Sequence, residues 1–145
     1  MPSHSGKVLV VEDEPMVRSV CEKILSRHNL VPICCENGVQ ALSVYHEMHS
    51  EIALILSDIV MPFMDGPTLV RQIFEHNPKS NVILMTGYSV AQAAPEDLKR
   101  LCSTIRKPFS AAQLMEVVKK CLDYQLGTHP SEPSAMIDPL PDIAK

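Results

Sequence analysis

Along the first 126 residues, two kinds of segment alternate. Short, mostly apolar runs fall at Val8–Val11, Val31–Cys34, Ala53–Leu56, Val82–Met85 and Thr104–Ile105. Between them lie longer stretches in which apolar residues recur every three to four positions, the helical period. Pro15–His28 carries Val17, Val20, Cys21, Ile24 and Leu25 on one stripe, and Gly38–Met48 carries Val39, Leu42 and Tyr45. Gly66–Glu75 carries Leu69, Val70, Ile73 and Phe74, and Ser110–Leu126 carries Leu114, Val117, Val118, Cys121 and Leu122. A strand buried on both faces reads as a continuous apolar run, whereas one with a wet face alternates. The pattern therefore predicts an α/β domain, a doubly wound parallel sheet of five strands with helices on both faces.

The stretch SVAQAAPEDLKRL, between the fourth and fifth runs, is less regular. Pro95 suits a first helical turn, and Glu96 and Asp97 favour the same end through the helix dipole. A fourth helix opening near Pro95 is expected, with Ser89–Ala94 as a loop or separate turn. Gly127 suits the close of the last helix. Beyond it, THPSEPSAMIDPLPDIAK is rich in proline and lacks helical spacing, so it reads as a tail or linker. The expected organisation is an extension over 1–6, one domain over 7–126 and a Pro-rich segment over 127–145.

At 145 residues the chain is long enough for a single real core. With a net charge of −4, no lysine- and arginine-rich run and no Trp, it offers no nucleic-acid face. The apolar runs are far too short to span a membrane, and MPSHSGK lacks the apolar centre of a signal peptide. A soluble cytoplasmic protein is the simplest expectation. Five cysteines, odd in number and without a CxxC pair, read as small buried hydrophobes rather than a redox or zinc site. Cys34 and Cys35 should point to opposite faces of their strand.

Chemistry-bearing residues gather where the predicted strands end, the edge where doubly wound sheets collect function. They are Glu12-Asp13-Glu14, Ser57-Asp58, Thr86-Gly87 and Arg106-Lys107-Pro108. Each alone has an ordinary explanation: helix-start acids, a turn aspartate, a strand-end hydroxyl, a surface lysine. Together they imply clustered carboxylates, and like charges about 4 Å apart repel by roughly 4 kcal/mol at an effective dielectric near 20. A hard divalent cation and a nearby lysine relieve that repulsion. Mg²⁺ takes one or two carboxylates and keeps positions open for phosphate oxygens. A carboxylate held there can attack phosphorus and carry the phosphoryl group as an acyl phosphate.

At these residues the sequence resembles the receiver domain of two-component response regulators. The matching pieces are VLVVEDEP at 8–15, LSDIVMPFMDG at 56–66, ILMTGYS at 83–89 and IRKPF at 105–109, within roughly residues 7–124. The wording is most similar to receivers attached to or partnered with sensor histidine kinases. The resemblance implies a flavodoxin-like (βα)5 fold with strand order 2-1-3-4-5. It implies Asp58 as phosphoacceptor and Mg²⁺ as cofactor. Asp13 would bind the metal directly, Glu12 would help through water, and the backbone carbonyl of Val60 would be a further ligand. Lys107 would pair with the aspartate and then with phosphoryl oxygens, Thr86 would be the switch hydroxyl, and Lys107-Pro108 would be a cis bond. The implied donor is a phosphohistidine on a sensor histidine kinase or histidine phosphotransfer protein. The implied readout is a shift around the fourth strand, fourth helix and fifth strand, available to a downstream effector. Such a domain phosphorylates itself and loses the group slowly; it is not a multiple-turnover enzyme.

Several positions depart from the family's habit. Glu12-Asp13 stands where two aspartates are common. Thr104 stands where an aromatic or histidine usually swings with the switch hydroxyl, which makes Tyr88 the candidate to take that role. Phe63 replaces a frequent glycine and should stiffen the loop after Asp58 while adding apolar surface. Thr104 and the irregular fourth helix sustain a second reading, a pseudo-receiver that keeps the fold as an interaction module without the switch; the intact Glu12, Asp13, Asp58, Thr86 and Lys107 set argues against it. A hydrolase of small phosphate esters is disfavoured by Val60, where an Asp or Thr is usual. HEMH at 46–49 is one residue short of the zinc-protease spacing, and the sequence sets no oligomeric state.

Overall fold

The computed structural model describes residues 6–87 and 99–125. Five strands appear: β1 (Lys7–Val11), β2 (Val31–Cys35), β3 (Ile52–Asp58), β4 (Val82–Thr86) and β5 (Ser103–Arg106). Among the described residues, four full helices accompany them: α1 (Pro15–Arg27), α2 (Gly38–Met48), α3 (Gly66–His76) and α4 (Ala111–Gln125). A short 3-10 turn, His49–Glu51, follows α2. Every predicted strand and each of these four helices is present, with ends shifted by at most two residues. The expected helix near Pro95, Tyr88 and the tail lie outside the described residues.

All strand pairs are parallel, in the order β2-β1-β3-β4-β5. This is the doubly wound, flavodoxin-like sheet. Side chains alternate across it and build two cores. Val8, Val10, Leu54, Leu56, Ile83, Met85 and Ile105 pack with α1 and α4 on one face. Leu9, Val11, Ile55, Val82 and Leu84 pack with α2 and α3 on the other. Cys34 joins the first core and Cys35 the second, as strand geometry requires. Among the described residues, no helix is long and apolar enough to cross a membrane.

Local chemistry sets where the helices begin. Pro15 occupies the first turn of α1, where its missing N–H costs nothing. The Asn37 side chain caps α2 by accepting from the Gln40 amide at 2.8 Å. The Asp65 carboxylate caps α3 by accepting from the Thr68 amide at 2.9 Å.

One expectation needs correcting. The cysteines are not all packing residues: Cys102, just before β5, forms a disulfide with Cys121 of α4. Nothing in the spacing signals this pair. The two sulfurs are 19 positions apart and meet only because α4 folds back across the sheet face beside β5. Closing a loop of that length is worth on the order of 3 kcal/mol. Cys21, Cys34 and Cys35 remain free thiols. Unreduced protein, unfolded in guanidinium, should therefore titrate three thiols with a chromogenic disulfide reagent and five after reduction. Five thiols under both conditions would show that the pair is open.

Candidate functional site

The carboxyl edge of the sheet gathers its polar groups from three strand ends. β1 is buried through Val11, and Glu12 continues straight into the interior with no exposed surface. Its amide donates to the Cys35 carbonyl at 3.1 Å, which extends the β1–β2 pairing by one residue. Its carboxylate Oε2 accepts from the Glu14 amide at 3.1 Å. Its carbonyl accepts from the Arg18 guanidinium at 2.7 Å, so α1 grips the loop it follows. Asp13 is exposed.

Asp58 ends β3 and is 8% exposed. Its Oδ1 accepts from the Ile59 amide at 2.8 Å, and its Oδ2 accepts from the Lys107 ammonium at 3.1 Å. The same ammonium lies 3.0 Å from Glu12 Oε1. That oxygen is buried and accepts no hydrogen bond of good geometry. Lys107 follows β5, and its amide donates to the Thr86 carbonyl at 2.8 Å, anchoring the ammonium's approach. The Lys107-Pro108 bond is cis. Thr86 is buried at the end of β4, one residue beyond Met85, which pairs with Asp58.

Burial pushes the Glu12 carboxyl up to about 7, and the Asp58 charge adds to it; the Glu14 amide and Lys107 oppose the rise. Burial alone would lower the Lys107 ammonium, but bonds to Glu12 and Asp58 and their charges hold it above its ordinary value. One ammonium thus serves two carboxylates. Glu12, Asp13 and Asp58 also bring one oxygen each within 4.8 Å of one another. An all-oxygen donor set in which two buried carboxylates share a single ammonium fits a hard divalent cation.

The loop after β3 alternates buried and exposed residues. Ile59 and Met61 are buried, whereas Val60 is 61% and Phe63 85% exposed. Phe63 adds the apolar surface expected of it. It also takes the left-handed conformation itself, with φ 71°, in a tight turn closed by the Met64 amide on the Pro62 carbonyl at 2.7 Å. That conformation costs a non-glycine residue roughly 1–2 kcal/mol. Thr104 is half-buried in β5, paired with Leu84.

Two contributors escaped the sequence reading. Arg18 is one. The other is Gly66, whose amide donates to the Ile59 carbonyl at 2.7 Å. A Cβ there would stand 2.3 Å from the Asp58 carbonyl oxygen and 2.9 Å from the Ile59 Cα. Only glycine lets α3 begin against the strand end that carries Asp58. The Asp65-Gly66 pair opening a helical stripe was the available signal.

The family model for the response regulator receiver domain matches residues 8–119. The chain belongs to the receiver-domain family. Receiver domains are the response-regulator modules of two-component systems. This receiver is 37% identical over 126 residues to the sensor kinase CckA of Brucella abortus, covering 85% of this chain and 13% of that protein. It is 30% identical over 118 residues to the response regulator receiver protein CpdR of Brucella abortus, covering 80% of this chain and 96% of that protein. The solved structure of the response regulator TrrA of Thermotoga maritima, a complex with Mg²⁺–BeF, aligns with a TM-score of 0.73 at 26% identity. The alignment covers 81% of this receiver and 99% of TrrA.

The raised Glu12 carboxyl makes stability depend on pH. Its proton is held more tightly folded than unfolded, so its stabilising contribution is complete below about 4.5 and lost as pH rises through about 7. In chelator, urea midpoints should fall across that window, by a free energy on the order of 3 kcal/mol. Glu12→Gln should flatten the slope, and an unchanged slope in that variant would assign it to another group. Gly66→Ala should cost roughly 1–3 kcal/mol by overpacking and shift the amide resonances of Asp58 and Ile59.

Proposed function

We propose that this receiver accepts a phosphoryl group on Asp58 from the phosphohistidine of a sensor histidine kinase or histidine phosphotransfer protein. The observation that carries the reading is the Lys107 ammonium, 3.1 Å from Asp58 and 3.0 Å from buried Glu12, beside the three clustered carboxylates. An Asp58 carboxylate oxygen attacks phosphorus, a P–O bond forms, and the P–N bond to the partner's imidazole breaks. The imidazole leaves with the bonding electrons and takes up a proton, and Asp58 becomes an acyl phosphate. Mg²⁺, when bound, neutralises phosphoryl charge; Glu12, Asp13, Asp58 and the Val60 carbonyl are the groups that would hold it. The Ile59 amide and Lys107 orient Asp58, and Lys107 passes from the carboxylate to the phosphoryl oxygens. Transfer of this kind relies on positioning and charge neutralisation.

Thr86, buried at the same edge, then turns its hydroxyl to the phosphoryl group. That movement biases the surface around the fourth strand and the segments flanking it, with Tyr88 in place of the aromatic absent at Thr104. Residues 7–126 form the receiver, and 1–6 and 127–145 flank it. The Mg²⁺–BeF complex of TrrA and the similarity to CckA support the cofactor and the kinase partner.

Incubation with acetyl phosphate and Mg²⁺ should add one phosphoryl group to the intact mass. Asp58→Asn and excess chelator should each abolish the adduct, and Lys107→Ala should slow its formation. No adduct under any condition would instead favour a pseudo-receiver, and multiple-turnover phosphate release from varied esters would favour a hydrolase.

A further inference from the structure

At the opposite edge of the sheet, three histidines meet. His46 sits in the last turn of α2, His49 follows in the 3-10 turn, and His76 is the last residue of α3. The His49 and His76 ring centroids are 4.4 Å apart, and those of His46 and His76 5.5 Å. Beneath them lies Tyr45, 2% exposed. Its ring is 5.9, 5.9 and 5.4 Å from those of His46, His49 and His76. The Tyr45 hydroxyl is fixed 3.2 Å from that of Ser80, so one buried ring gives three exposed imidazoles a rigid floor.

We infer that His46, His49 and His76 form a binding site for a borderline transition-metal ion such as Ni²⁺, Zn²⁺ or Cu²⁺. Imidazole suits these metals, whereas Mg²⁺ prefers oxygen. With metal–nitrogen bonds of roughly 2.0–2.1 Å, imidazoles sharing one ion hold their ring centroids about 4.5–5.3 Å apart. The His49–His76 and His46–His76 separations, 4.4 and 5.5 Å, lie close to the two ends of that range. The rings now meet edge to face, at interplanar angles of 63° and 66°, rather than nitrogen to nitrogen. Binding requires these exposed side chains to turn among staggered rotamers until their nitrogens face a common point. The C-termini of α2 and α3 converge here, and the negative ends of their dipoles favour a cation. Helices run antiparallel to the strands they connect, so this site lies across the sheet from Glu12, Asp13 and Asp58. Three ligands leave coordination positions for water or a donor from another molecule.

Titration of the untagged full chain with NiCl₂ in excess Mg²⁺, which occupies the acidic cluster, tests the assignment. One Ni²⁺ should bind per chain, and the imidazole proton resonances of these three histidines should broaden first. His76→Ala should weaken binding at least ~10-fold, the scale at which even supporting groups matter to a metal site. His28→Ala, a histidine of the α1 terminus, should leave it unchanged, with far-UV circular dichroism confirming the fold of both variants. Absence of saturable binding, or equal affinity in His76→Ala, would overturn the assignment, as would loss of binding in His28→Ala.

Discussion

Everything at the carboxyl edge depends on burying two carboxylates against one ammonium. Glu12 has no exposed surface and Asp58 very little, yet both stay within about 3 Å of Lys107, at 3.0 and 3.1 Å. A buried ion pair adds little net stability, because desolvation offsets attraction, but leaving one partner alone is costly. The arrangement therefore acts mainly on geometry. It requires β1, β3 and β5 to end level with one another, although two strands, β3 and β4, separate β1 from β5 in the sheet. One negative charge remains in excess, and it adds to the burial that raises the Glu12 carboxyl.

The scaffold meets this demand by making its centre the most uniform part. β3 is the longest strand and pairs on both sides. Its inner residues divide strictly between the two cores, so a one-residue slip would exchange them and expose charge to the interior. Asp58 is thus located by the packing of Leu54, Ile55 and Leu56 and then held from above by Gly66. In the loop after it, Phe63 takes a conformation that suits glycine better.

The fold was legible because parallel strands and amphipathic helices leave different periodicities, and both are strong here. The charged edge was legible because Glu12, Asp13, Asp58, Thr86 and Lys107 each fall within two residues of the end of an apolar run. Features made by distant residues left no such trace. The Cys102–Cys121 bond depends on where α4 lands, Arg18 reaches back to a carbonyl, and the demand on Gly66 comes from a strand end eight positions earlier. The histidines were visible singly, and HEMH even as a motif, but His76 joins them only through the packing of α3 beside α2.

Phe63 has one further consequence. The chain contains no Trp, and Phe63 projects into solvent at 85% exposure, five residues beyond Asp58. Its backbone conformation already accommodates a large aromatic ring, and its side chain supports no core. A tryptophan placed there would be the sole indole of the molecule, standing at the rim of the charged edge. The position gives the protein a natural mounting point for an optical sensor of its own chemistry.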